Sequence, residues 1–316
     1  MTDPQGIPIV VTGATGAIGR YVIDELLATT SSWVTVIARD ESHARSVFRE
    51  TKRVNVLQGD VREGASLARR IPVVERAVLL ATSWEDGQGS NDVNVEGQVA
   101  FAREMRARGL QRLIWFGTAS ILEHDGAPLA LAESLGSPYI ASKARARARL
   151  IDETSDVLSI IHPTMVVGAG IDRPWSHFAR LVPQIEKRAW LARYFSGEGS
   201  FHLVHASDLA TMTRDLLFVS PNESMNEVVA GAPSIILAEA LDLVLERARQ
   251  ERRARVDLTP RRVALLTKAF RVRLSAWDRY CLATRHFTYD AAKLRVNETS
   301  PPHHPTARDI LATIPR

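Results

Sequence analysis

Residues 10–20 read V-V-T-G-A-T-G-A-I-G-R, and no other stretch restricts the fold as tightly. They join an apolar run (Ile7, Ile9, Val10, Val11) to an amphipathic segment through glycines at 13, 16 and 19. The pattern predicts a strand, a tight turn and a helix. Gly13 lets the chain turn where a side chain would clash, Gly16 lets the backbone approach a phosphate, and Gly19 lets the helix pack close to the strand. The free N–H groups and positive end of that helix then face an anion. Plain strand-to-helix connections use similar turns, so the rest of the chain has to decide.

The following segments alternate. Residues 34–38, 54–57, 77–81, 113–116 and 157–161 are short β-rich runs, while 39–52, 94–108 and the segment from Tyr139 carry helical spacing. This alternation predicts crossover connections and an α/β fold, a doubly wound parallel sheet with helices on both faces. Past His162 the regularity breaks at Pro163, Gly168, Gly170 and Pro174. Residues 200–210 look like a strand leading into a helix that rejoins the sheet, and the chain from Ile235 is helical and basic. The expected division is 1–165, with 203–230 returning to it, as the sheet domain, and 166–202 with 231–316 as a smaller, mostly helical substrate-binding region. A ligand belongs outside the C-terminal ends of the strands.

Composition narrows the function classes. A chain of 316 residues with 45% apolar and 24% charged residues buries a sizeable core and is expected to be soluble. Its single cysteine, Cys281, rules out an internal disulfide and a Cys-rich zinc site. No signal-like start or membrane-length apolar run is visible, so a cytoplasmic protein without a membrane partner is expected. Residues 246–273 hold ten basic and three acidic residues. Leu241, Val244 and Leu245 suggest an amphipathic helix with a solvated basic face, and no nucleic-acid motif accompanies it. His303 and His304 lack an acidic or Cys partner at ligand spacing, so no metal is expected there. His202 and His205 read as structural or as pocket walls, and Trp84 as lining either the ligand side or the core.

Lysine occurs at only five positions, and Lys143 lies one helical turn after Tyr139 in Y-I-A-S-K. A cation one turn away favours the phenolate and lowers the tyrosine pKa from near 10 towards working pH. The fifth strand ends in W-F-G-T-A-S, which places Thr118 and Ser120 where a hydroxyl can hold a substrate oxygen. Together with the glycine turn, three such features share one sheet edge.

These residues make the chain resemble an extended short-chain dehydrogenase/reductase. The matching stretches are T-G-A-T-G-A-I-G from Thr12, G-D-V from Gly59, N-V-E-G from Asn94, Y-I-A-S-K from Tyr139, H-P-T-M-V-V-G-A-G from His162 and V-H-A-S-D-L-A from Val204. The resemblance implies a Rossmann-type fold, Tyr139 as proton donor or acceptor, and Lys143 lowering its pKa while holding the nicotinamide ribose. Thr118 matches the catalytic Ser/Thr, with Ser120 as fallback. Cofactor contacts are implied at Gly13, Thr15, Gly16, Ala17, Ile18, Asp60, Val61 and Ala81. A homodimer on an apolar helix pair is common in this family.

Arg39 ends the second strand, where an Arg accommodates the 2′-phosphate of NADP and a carboxylate binds the 2′-hydroxyl of NAD. NADP is the first expectation; NAD follows if Asp40 takes that role. Ala119, after Thr118, leaves no second acid for water elimination, and His162-Pro163 departs from the sugar-modifying pattern. The C-terminal runs L-T-P-R-R-V-A-L-L and F-T-Y-D-A-A-K are closer to the ketone-reducing, hydroxysteroid dehydrogenase-like branch. The expected protein is therefore an NADPH-dependent reductase or dehydrogenase acting on a ketone or secondary alcohol of an apolar small molecule. A nucleotide-sugar epimerase and a non-catalytic NADP-sensing protein are the alternatives.

Overall fold

The structure, a computed structural model, describes residues 6–316 except 50, 73, 85–87, 219–226, 254–255, 260, 264–272 and 298–300. Much of the 246–273 segment and of L-T-P-R-R-V-A-L-L therefore lies outside the described residues.

Seven parallel strands form the central sheet: β1 (Pro8–Thr12), β2 (Trp33–Ala38), β3 (Val54–Gln58), β4 (Arg76–Leu79), β5 (Arg112–Phe116), β6 (Leu158–Pro163) and an edge strand, Glu227–Ala230. Their order is β3-β2-β1-β4-β5-β6 and then the edge strand, so the connection direction reverses between β1 and β4. Every residue of β5 and β6 is buried, as a sheet covered on both faces requires. On one face Val11, Val36 and Val78 pack with Val22, Ile23 and Leu26 of the helix Gly19–Thr29 and with Leu209, Met212 and Leu216 of the helix Ala206–Phe218. On the other, Val10, Ile37, Ala77 and Leu79 meet the helices Gly64–Arg70, Gln98–Ala107 and Pro138–Thr154. Alternate residues of one strand thus serve two cores.

Several elements differ from the sequence expectation. β4 stops at Leu79, which leaves Ala81 in the following loop with its N–H donating to the Thr12 hydroxyl at 3.2 Å. The helix expected from residue 94 begins as a π-helical turn, Asp92–Gly97, before continuing as Gln98–Ala107. The run at 200–205 divides between two small sheets: Ser200–Phe201 pairs with Ile235–Ile236 and His286–Phe287, whereas Leu203–His205 pairs with Met165–Val167. The helix carrying Val244 and Leu245 spans Leu237–Arg247 and ends where the basic run begins, with Arg249 at a left-handed φ of 53°. Arg249, Arg252 and Arg253 therefore follow this helix rather than forming its polar face. No helix among the described residues is long and apolar enough to cross a membrane.

Candidate functional site

The carboxyl ends of β1, β2, β4, β5 and β6 converge around the reversal point, where a doubly wound sheet opens a crevice. Gly13 has φ 70°, and a Cβ there would lie 2.6 Å from the Ala81 amide nitrogen, so only glycine suits the turn. A Cβ on Gly19 would run into the Gly13 carbonyl and Ala14, which explains the close approach of the first helix. Gly16 meets only the Gly13 carbonyl, at 3.2 Å.

Two adjoining cavities share this turn. The first, about 660 Å³, is lined by Gly13, Thr15, Gly16, Arg39, Asp60, Val61 and Ala81. The second, about 600 Å³, reaches Ala17, Ile18, Thr118, Ser120, Tyr139 and Lys143. Each residue expected at the site from the sequence lines one or both.

Arg39 and Asp40 are exposed at the end of β2. The Asp40 carboxylate caps the helix Glu41–Phe48 by accepting from the His43 N–H at 2.9 Å, so at the end of β2 it is Arg39, and not Asp40, that lines the first cavity. Asp60 accepts from the Arg62 N–H at 2.9 Å and pairs with its guanidinium at 2.6 Å. The Arg62 hydrogen bond holds this carboxyl below the usual range.

Ser137 caps the helix Pro138–Thr154, with Pro138 in its first turn, where a missing N–H costs no intrahelical bond. This start puts Tyr139 at the cavity and Lys143 beneath it. Lys143 is 2% exposed; its Nζ donates to the Phe116 carbonyl at 2.7 Å and lies 4.9 Å from the centre of the Trp115 ring. Burial lowers its pKa to about 7. The Trp84 ring stacks on Tyr139 with centroids 3.8 Å apart and planes 16° apart. Burial raises the Tyr139 pKa, and a weaker opposing pull comes from the Thr118 hydroxyl. The expected lowering by Lys143 is therefore not seen: the ammonium is turned to the Phe116 carbonyl, 6.0 Å from the phenol ring centre.

Sequence reasoning missed the groups that brace this arrangement. Asn94 makes four contacts: its Oδ1 accepts from the Thr82 hydroxyl (3.1 Å) and the Ser83 N–H (2.8 Å), and its Nδ2 donates to the Ser83 carbonyl (2.9 Å) and the Ser142 hydroxyl (3.0 Å). It thereby ties the loop carrying Trp84 to the helix carrying Tyr139. Gln98, one turn on, joins the Ala81 carbonyl to the Trp115 indole. Below the Thr118 loop, His162 Nδ1 lies 3.2 Å from the Thr118 carbonyl and Nε2 donates to Glu227 Oε1 at 2.6 Å. Glu227 also takes both guanidinium bonds of Arg147, at 2.5 and 2.7 Å. A Cβ on Gly117 would sit 2.5 Å from His162 Nδ1, so this glycine makes room for the histidine. The N-V-E-G stretch and His162 were visible signals, but Arg147 and Glu227 are 80 residues apart and unmarked. His202 is structural: its Nδ1 donates to the Ala232 carbonyl at 2.7 Å, and its Nε2 accepts from the Tyr289 N–H at 3.0 Å.

The second cavity is walled by Trp84, Met165, Trp175, Phe178 and Trp277, with Arg180 as a cation at its edge. With Tyr139, Thr118 and Ser120 at one side, the arrangement can hold and protonate a carbonyl oxygen of a largely apolar molecule.

Residues 13–169 match the model of the NAD(P)H-binding family, so the chain contains an NAD(P)-binding Rossmann domain. Quinone oxidoreductase 2 of Escherichia coli (strain K12) is 29% identical over 126 residues, a match spanning 40% of each chain. Among solved structures, the Bordetella bronchiseptica enzyme WbmG in complex with NAD superposes with TM-score 0.70 at 18% identity, covering 98% of this chain and 93% of that one. UDP-glucuronic acid 4-epimerase from Bacillus cereus, in complex with UDP-glucuronic acid and NAD, gives TM-score 0.62 at 16% identity, with 80% and 86% covered. At these identities the structural likeness shows a shared fold.

Proposed function

We propose that the protein is an NADPH-dependent reductase of ketones in apolar small molecules. The observation that carries this reading is the placement of the Tyr139 phenol with the Thr118 and Ser120 hydroxyls at one side of a cavity lined by three tryptophans and Phe178. A phenol, neutral at working pH, can give its proton to a carbonyl oxygen as that oxygen gains charge.

The glycine turn and first helix would hold the pyrophosphate, Arg39 the 2′-phosphate, and Lys143 the nicotinamide ribose. When bound, the cofactor supplies hydride to the carbonyl carbon. Tyr139 Oη gives its proton to the carbonyl oxygen. The Thr118 hydroxyl donates a hydrogen bond to that oxygen as it becomes alkoxide-like, stabilising charge that exists only in the transition state. Trp84 stacks on the phenol ring and limits its movement. The relative named as a quinone oxidoreductase supports the same direction, a quinone being an apolar carbonyl compound.

A second reading, a nucleotide-sugar epimerase, draws on Arg180, a cation available to a diphosphate. Consumption of NADPH with a panel of cyclic ketones and quinones, beside isomer analysis of UDP-sugars with NAD, separates the two. Turnover of a ketone, lost in Tyr139→Phe, supports the reductase; UDP-sugar epimerisation lost in Arg180→Ala supports the epimerase.

A further inference from the structure

Outside this cleft, the segment containing His303 and His304 crosses the start of the helix Ala206–Phe218. Asp208 is 1% exposed and His205 4%. Asp208 Oδ1 accepts from the His303 N–H at 2.6 Å. Asp208 Oδ2 and His205 Nε2, both shielded from solvent, have no hydrogen-bond partner among the described residues. His304 completes the group: its Nδ1 is 3.4 Å from Asp208 Oδ2 and 3.2 Å from the Ser207 hydroxyl, a contact that an incoming cation would displace, and its ring centre is 4.1 Å from that of His205. One donor atom from each of the three lies within 4.8 Å of the others.

A buried carboxylate oxygen and a buried imidazole nitrogen without hydrogen-bond partners are costly, and a cation between them relieves both. The 2.7 Å contact between His205 Nδ1 and the Ser207 hydroxyl fits a donating Nδ1–H, which leaves the Nε2 lone pair directed inward. Metal-bound histidines are commonly oriented by such a bond from the other nitrogen. The opposite tautomer, in which the Ser207 N–H donates to Nδ1 at 3.2 Å, would leave an Nε2–H buried and unpaired.

We propose that His205, Asp208 and His304 form a binding site for a divalent cation of the zinc class, which fastens the C-terminal segment to the helix Ala206–Phe218. Two imidazoles and a carboxylate are a known zinc donor set, with the fourth position left to water. Bonds of about 2.0–2.1 Å in a tetrahedron bring donors to about 3.4 Å from one another. The Asp208–His304 pair already has that spacing. His304, at 23% side-chain exposure, gives the ion a route in and can move to close the remaining distance. His303 is turned away to the Thr211 hydroxyl at 3.2 Å and is not a ligand. Local spacing hid the site because Asp208 is 95 residues from His303. A structural role is assigned because the site lies apart from the Tyr139 cavity.

The test uses full-length protein without a histidine tag, stripped with chelator and titrated with zinc alone. Bound metal is measured by mass spectrometry, and melting temperature is followed with and without zinc. Wild type and His303→Ala should each take up one ion per chain and melt higher with zinc, while His304→Ala should bind at least 100-fold more weakly and show no shift. Asp208→Asn should lose the ion too, although it also disturbs the bond to His303, so the partly exposed His304 carries the decision. Equal zinc binding by wild type and His304→Ala, or none by wild type, would overturn the proposal, the latter leaving a buried water as the bridge.

Discussion

Glu227→Gln should expose how strongly the group beneath the Thr118 loop depends on charge. The Glu227 side chain is 23% exposed and its partners Arg147 and His162 are 17% and 0%. Burial alone would raise its pKa, but the bonds from His162 and Arg147 outweigh this and lower it to about 2, from an ordinary 4.5. At about 1.4 kcal/mol per pH unit this gap corresponds to roughly 3 kcal/mol of stability, an upper figure because water still screens part of the group. The folded-state pKa is depressed, so this stability is present above about pH 4.5 and is lost as pH falls towards 2. His162 adds to the loss: burial holds its pKa below 6.5, so acid must charge a buried ring. Glutamine retains an acceptor for the neutral His162 ring but leaves the partly buried Arg147 guanidinium without its counter-charge, and about 2–3 kcal/mol should be lost at pH 7. Urea unfolding of both proteins at pH 7 and at about pH 3 measures this. The gap between them should shrink by most of its value on acidification. A gap that stays constant, or one below about 0.5 kcal/mol at pH 7, would refute the account of Glu227 as the buried counter-charge.

Three further outcomes are expected. Arg39→Asp should shift the cofactor preference from NADPH towards NADH in a thermal-shift titration, where a ligand at about 100 times its dissociation constant adds about 2.7 kcal/mol; an unchanged preference would make Arg39 a bystander. Gly13→Ala, with φ 70° and a Cβ 2.6 Å from a backbone nitrogen, should cost about 1–3 kcal/mol in unfolding free energy and most of the cofactor affinity. Lys143 loses its proton as pH rises through about 7, so NADPH should bind more weakly above that pH in wild type and with little pH dependence in Lys143→Met; fluorescence titration at several pH values reports both.

The sheet was legible because its signals are local. Apolar runs bounded by Gly13, Arg39, Gly59 and Gly117 mark four strand ends, and the ends of parallel strands are where ligand groups gather. Tyr139, Lys143 and Thr118 could be placed on one edge for the same reason. What spacing could not show is where a long side chain turns. Lys143 reaches the Phe116 carbonyl instead of the phenol, and burial therefore sets the Tyr139 pKa. The bracing by Asn94 and the Arg147–Glu227–His162 group depends on contacts between distant segments, which no periodicity encodes. His303 and His304 show no ligand partner at local spacing for that reason, since their neighbours Asp208 and His205 arrive through the fold. The run at 200–205 looked like one strand because alternation is blind to a change of sheet at His202.

Transfer of label from NADPH carrying deuterium at the reactive C4 position tests the central claim most directly, read by mass spectrometry of the product from an apolar ketone. The account predicts an alcohol one mass unit heavier with wild type and none with Tyr139→Phe, whose NADPH binding stays intact. Labelled alcohol formed equally by both proteins would contradict it, since the proton would then come from a group other than Tyr139.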